Sequence, residues 1–149
     1  MELTDVIRGV DLFEGLTNTE YDTIVSICKQ REYCKGEVIA VEGEIGEELY
    51  IVMDVTIEIL VNRDNKSPKI VVHLGVGQII GEMSLVDRGL RSASVRAIQD
   101  PTIVQIIRSS DFRKLCEQNN HIGYLVMLNL AADLSFKLRH RHLNESKGN

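Results

Sequence analysis

Gly75, Gly77, Gly81 and Gly89 fall within fifteen residues, and Arg91 follows almost at once. Glycine lets a backbone turn sharply and lets a ligand approach main-chain N–H groups. Gly81-Glu82-Met83-Ser84 can open a single helical turn, whose unpaired N–H groups favour an anion. Arg91 adds a planar, permanently charged donor fork suited to phosphate oxygens. A carboxylate beside an anion site repels the anion, so Glu82 makes sense where the ligand also offers hydroxyl donors, as a ribose does. Glycines, an acid and an arginine together point to a sugar phosphate or a nucleotide. The alternative is a glycine-rich surface loop with an exposed ion pair of little energetic weight. A Walker loop is excluded, because no Gly-Lys-Ser/Thr follows. So is a dinucleotide fingerprint, because the segment leads to a short turn and not to a long helix.

Three zones position this segment. Residues 2–29 read as helical: Thr17-Asn18-Thr19-Glu20 has the spacing of a capping box, and Tyr21, Ile24, Val25, Ile27 and Cys28 give the apolar face of a short helix. Residues 30–108 read as short strands, around 38–41, 50–52, 56–61, 70–74, 93–97 and 102–107. Their β-branched residues and the intervening glycines favour strands over helices. The expected class is α+β, mainly β: a barrel, sandwich or jelly roll, since no long helical pattern alternates with the strands as a parallel sheet requires. Residues 109–143 read as helical, with Ser109 capping a helix over 111–117 and a longer helix from His121 to Leu143. In the longer helix, Val126, Leu130, Leu134 and Leu138 lie along one side, and Leu125, Leu128, Ala132 and Phe136 lie nearly opposite. One row can pack on the β zone. The second needs another partner, which predicts a homodimer through this helix; the alternative is that another element of the same chain covers it.

The chain has 149 residues, the length of one domain spanning 1–149. It is 44% hydrophobic and 26% charged, which suits a soluble globular protein. The net charge of -5 argues against direct DNA binding. No apolar run reaches the ~20 residues of a membrane span, and the N-terminus has no signal-type segment, so a cytoplasmic location is expected. Cys28, Cys34 and Cys116 form neither a disulfide framework nor a zinc pattern, and no metal site is expected. His73 reads as a histidine of the core or rim. His140, His142, Lys137, Arg139, Arg141 and Lys147 read as a solvated helix end, and Glu42, Glu44, Glu47 and Glu48 as a solvated hairpin.

Residues 81–97, GEMSLVDRGLRSASVRA, closely resemble the phosphate-binding cassette of cyclic nucleotide-binding domains, the family of the catabolite activator protein, the regulatory subunits of protein kinase A and the nucleotide-gated channels. Asp11-Leu12-Phe13-Glu14-Gly15-Leu16 resembles the family's opening segment. Glu42-Gly43-Glu44 with Glu48-Leu49-Tyr50-Ile51-Val52 resembles its second and third strands, and Asp111-Phe112-Arg113-Lys114-Leu115 the start of the helix after the barrel. The resemblance covers about residues 10–140. It implies an eight-stranded antiparallel jelly-roll barrel (a double-stranded β-helix) over 30–108, a cassette at 77–93, and flanking helices over 1–29 and 109–143.

By that resemblance Glu82 accepts the ribose 2′-hydroxyl, Arg91 pairs with the exocyclic phosphate oxygens, and Ser92 donates to the phosphate or the base. Amides of Gly81, Met83 and Ala93 hold phosphate and sugar; Ser84 completes the cassette. Val72, Leu74 and Ile80 line the base, and Met127, Leu134 and Lys137 of the last helix are candidates for its cap. The hydroxyl of Ser92 permits cGMP, while activator-type members with Arg-Ser-Ala use cAMP, which is favoured here. One departure stands out: Val55 replaces a glycine common in the turn between the third and fourth strands. The function implied is a cyclic nucleotide sensor, not an enzyme, that signals to an effector protein by moving its C-terminal helices. Two alternatives remain: a scaffold that keeps the fold and binds no nucleotide, and a cupin-type metalloenzyme on a similar barrel.

Overall fold

Eight strands form two four-stranded antiparallel sheets in the computed structural model, which describes the backbone of residues 2–60 and 69–147 and the side chains among these up to residue 141. Val61 and the side chains of His142 and Lys147 lie outside the described residues. The strands are β1 (Lys29–Tyr33), β2 (Val38–Ala40), β3 (Glu48–Val52), β4 (Val55–Leu60), β5 (Ile70–Leu74), β6 (Ile79–Ile80), β7 (Ser94–Ala97) and β8 (Thr102–Arg108). One sheet has the order β1-β8-β3-β6, the other β2-β7-β4-β5. Chain neighbours thus alternate between sheets except at the β4–β5 hairpin, which is the jelly-roll order. Helices α1 (Leu3–Arg8) and α2 (Asn18–Ser26) precede the sheets; α3 (Ser109–Gln118) and α4 (Asn120–Lys147) follow them.

The apolar run of β3 explains the layering. Tyr50 and Val52 face the other sheet and join Ile39, Val55, Ile57, Val95, Val104 and Ile106 in the sandwich core. Leu49 and Ile51 face the opposite way, where with Ile107 they meet Ile7, Phe13, Ile24, Phe112, Ile122, Val126 and Leu130 from the helices. A strand buried on both faces has no polar alternate, so β3 after Glu48 reads as continuous apolar residues. The sheet holding β3 and β8 is therefore the central layer, and the helices form a third layer on its outer face.

Several expectations shift locally. β1, an edge strand of four exposed polar residues before Tyr33, has no apolar alternation to announce it. β6 is only two residues long and sits inside the glycine-rich segment. Ser109 is the first residue of α3 and not its cap; its hydroxyl donates to the Glu47 carbonyl at 3.0 Å, tying α3 to the entry of β3. At the β3–β4 turn the left-handed position belongs to Asp54 (φ 72°), while Val55 is buried in β4, so the glycine equivalence moves back by one residue. Asp54 is among the residue types that tolerate this conformation. Its carboxylate lies 2.8 Å from Nε2 of His73, which is exposed at the rim of the sheet.

The Thr17 capping box forms: the Thr17 amide donates to Glu20 at 2.9 Å and the Glu20 amide to the Thr17 hydroxyl at 3.2 Å. Glu20 also meets Nδ1 of His121 at 2.8 Å, joining α2 to the first turn of α4. Burial raises the Glu20 carboxyl, but hydrogen bonds from Thr17, His121 and Asn119 outweigh it and hold it below its ordinary value of 4.5. A lowered carboxyl stabilises the fold above its unfolded-state pKa and ceases to do so as pH falls through the folded value. Wild type should exceed Glu20→Gln in unfolding free energy by about 1–3 kcal/mol at neutral pH, the scale of hydrogen bonds to a charged group. That gap should close as pH falls below the ordinary glutamate range. Urea denaturation of both proteins across pH checks this.

Candidate functional site

The cassette wraps Arg91. Gly81 stands in the left-handed region (φ 81°) and opens a one-turn 3-10 helix, Glu82–Leu85. The Ser84 hydroxyl donates to the Gly81 carbonyl at 2.8 Å and closes that turn. Among the described residues, the Glu82 and Met83 amides have no backbone acceptor, as expected for the first N–H groups of a turn. The guanidinium of Arg91 crosses this turn. Its Nη2 donates to the Glu48 carbonyl at 2.6 Å, and the group sits 5.6 Å from the centroid of the Tyr50 ring. A Cβ at Gly81 would collide with Arg91 Nη1, and one at Gly46 would lie 2.9 Å from its Cζ. Two glycines thus form the slot that holds one arginine.

The Arg91 backbone is fixed as firmly. Its amide donates to the Glu44 carbonyl at 2.7 Å, and its carbonyl accepts from Gly43 at 3.0 Å. The loop before β3 and the loop before β7 are thereby zipped together, with Ile45 paired to Leu90 in a short bridge.

Ile80, Gly81, Glu82, Met83, Ser84, Arg91, Ser92 and Ala93 all line one cavity of about 450 Å³. Eight of the expected site residues are therefore brought together. Sequence reasoning missed Ala40, Gly46, Ile59 and Val95 on the same wall. Gly46 is legible only as a turn glycine, because the arginine it makes room for is distant in the chain; the Glu48 carbonyl leaves no trace in residue type at all.

Other expected residues lie elsewhere. Val72 packs against the sandwich core, and Met127 and Leu134 pack against the core beneath the helices. Leu74 lines a neighbouring cavity of about 340 Å³ between the Gly9–Leu12 segment, the β5–β6 turn and α4. Glu82 lines both cavities, and Lys137 of α4 lines the second. The two meet: Lys137 Nζ is 3.6 Å from Glu82 and 2.9 Å from Asp133 one turn earlier. Asp133 first and Glu82 with it hold the Lys137 ammonium above its ordinary value, so this contact is fully present at neutral pH and is lost only at strongly alkaline pH.

Helix α4 is held unevenly. Asn129 Nδ2 donates to the Leu12 and Glu14 carbonyls, each at 3.0 Å, and Ile122, Val126 and Leu130 are buried. From 131 to 141 only Leu134 is sheltered. Of the two expected apolar rows, the inner one ends where the barrel ends, so Leu138 is exposed. Of the outer row, Leu125 packs against the core, while Leu128, Ala132 and Phe136 face solvent alongside Tyr124. The helix itself runs to Lys147, beyond Leu143.

A jelly roll with a glycine-slotted arginine, a nearby carboxylate and a C-terminal helix reaching the site matches a known class. The model of the cyclic nucleotide-binding domain matches residues 30–119, and the chain belongs to that family. It is 34% identical over 137 residues to the cyclic AMP receptor protein of Thermus thermophilus, matching 92% of this chain and 61% of that protein. The chain thus spans less than two thirds of that relative's length. The crystal structure of the Thermus thermophilus catabolite activator protein superposes with a TM-score of 0.75 at 33% identity, over 91% of this chain and 62% of that one. A cyclic nucleotide-binding domain from Methylobacillus flagellatus shares the fold with a TM-score of 0.77 at 21% identity, over 99% of this chain and 82% of its own. No helix among the described residues is long and apolar enough to cross a membrane.

The slot gives a direct test. Gly81→Ala combines left-handed strain with a collision against Arg91, so it should destabilise the protein by at least the ~1–2 kcal/mol that a left-handed conformation costs an L-residue. Denaturant unfolding reads the loss.

Proposed function

We propose that the chain is a cyclic nucleotide sensor whose ligand is held by Arg91 and Glu82 and whose output is the position of α4. The observation that carries this is the placing of Arg91, Glu82 and Ser92 on one glycine-shaped cavity. Arg91 would clamp the exocyclic oxygens of a cyclic phosphate, assisted by the Met83 and Ala93 amides; Glu82 would accept the ribose 2′-hydroxyl, and Ser92, exposed at the mouth, would reach phosphate or base. The Thermus relative is named for cyclic AMP, which supports cAMP over cGMP. Such a sensor is a binding module and not an enzyme.

Glu82 links ligand to output. In this structure its carboxylate faces Lys137, and beyond Leu130 that pair and Leu134 tie α4 to the rest of the domain. A ribose hydroxyl at Glu82 competes with Lys137, so occupancy favours arrangements of α4 in which the lysine has let go. A ligand shifts such an equilibrium only through its different affinity for the two arrangements, and this competition supplies the difference.

The exposed Leu128, Phe136 and Leu138 support a homodimer through α4. An effector protein would read the helix. Three free thiols suit a reducing cytoplasm.

Calorimetric titration with cAMP and cGMP tests the reading. Arg91→Ala should weaken binding by about 2–5 kcal/mol, the cost of removing one partner of a desolvated charge pair. Absence of heat and of thermal shift with both nucleotides would leave a scaffold that keeps the fold. In the same titration Lys137→Ala should tighten binding by up to about 1 kcal/mol, the worth of an exposed ion pair; weaker binding would instead make Lys137 part of the ligand's cap. Light scattering should give a dimer mass for wild type and a monomer mass for Leu128→Asp/Phe136→Asp.

A further inference from the structure

A separate concavity of about 510 Å³ lies where β1, the loop before β3, the cassette and α3 meet, sharing only Gly46 with the cassette cavity. Four of the chain's ten arginines line it and none of its seven lysines: Arg31 from β1, Arg88 from the cassette, Arg108 from the end of β8 and Arg113 from α3. Two carboxylates accompany them. Glu48 meets Arg31 at 3.3 Å and Glu47 meets Arg88 at 3.2 Å. Four guanidiniums against two carboxylates leave a formal charge of +2 in a chain whose net charge is -5. Like charges gathered from four separate segments repel one another, and net-negative proteins have no need to gather them.

The pairs present do not use the cluster up. The Arg88–Glu47 pair is solvent-exposed and so weakly held, and its guanidinium can turn to another anion at little cost; Arg31 is held more firmly, by the half-buried Glu48 and by the Tyr33 hydroxyl at 3.1 Å. Arg108 makes no side-chain ion pair or hydrogen bond among the described residues. Arg113 spends one nitrogen on the Ser84 carbonyl at 3.5 Å, leaving the rest of its fork. Guanidiniums, more than ammoniums, match the planar, bidentate geometry of phosphoryl oxygens.

We propose that this concavity is a second anion site that takes a phosphoryl group, free or carried on the side chain of a partner protein, independently of the nucleotide site. The probes are inorganic pyrophosphate and a phosphoserine peptide with its unphosphorylated form, followed by amide chemical shifts in nucleotide-free protein. Pyrophosphate should move signals of the residues around Arg31, Arg88 and Arg108. Arg108→Ala should weaken binding about tenfold, the scale of losing one charge-assisted hydrogen bond, and Arg108→Glu should weaken it further. Arg108 is exposed and has no side-chain partner among the described residues, so both variants should fold, with unfolding midpoints near wild type. Arg91→Ala should leave this binding intact, which separates it from the nucleotide site. Peptide binding that needs the phosphate identifies a protein-borne group; pyrophosphate binding alone identifies a small free anion. No shift with pyrophosphate or phosphopeptide overturns the proposal, as does binding lost in Arg91→Ala and kept in Arg108→Glu.

Discussion

The hydrogen bond from Arg91 to the Glu48 carbonyl constrains the rest of the site. A guanidinium inside a slot of two glycines must have its charge met, and the carbonyl at the start of β3 meets it at 2.6 Å. That carbonyl is fixed because β3 is buried on both faces between β8 and β6. The arginine is thus referenced to a strand buried on both faces, while the cassette that carries it is an irregular loop. The same loop can be exact in one side chain and loose elsewhere: Met83, Val86 and Leu90 are exposed, yet Gly81, Ser84 and Arg91 are locked to one another.

Glu82 occupies the opposite condition. It lies on the border of two cavities and its partner, Lys137, is exposed and already shared with Asp133. A carboxylate in a weak, replaceable contact is well suited to exchange partners, whereas an acid buried in a network is not. Glu20 shows the contrast within the same chain. It is buried, bonded to Thr17 and His121, and serves to fix the joint between α2 and α4. Two glutamates contact the same long helix, one at its rooted end and one beyond it.

Much of this was legible from residue types. The cassette could be read because its chemistry lies in side chains and in glycines, both visible as letters, and the Thr17–Glu20 cap for the same reason. The strands β2, β3, β4, β5, β7 and β8 could be read because β-branched residues cluster in them; β6, two residues inside the glycine-rich segment, could not. β1 could not, because a polar edge strand is specified by its neighbour β8 and not by its own pattern. Val55 stands where the resemblance expects a glycine, but Asp54 takes the left-handed position, because an aspartate can adopt that conformation. Ser109 looked like a cap because a serine before an apolar run usually is one; its hydroxyl was instead taken by the Glu47 carbonyl, a contact between residues 62 apart in the chain. For Met127 and Leu134, the resemblance points to the last helix but does not fix its register, and both residues pack against the core beneath the helices.

The clamp of Asn129 on the Leu12 and Glu14 carbonyls has a mechanical consequence. It makes a fulcrum. Eighteen residues of α4 extend past it to Lys147, an arm of roughly 27 Å at 1.5 Å per residue. Pivoting that arm by about 10° sweeps its tip through roughly 5 Å, given the same helical rise. If α4 moves as proposed, an ångström-scale change beside Glu82 would be magnified at the far end of the helix.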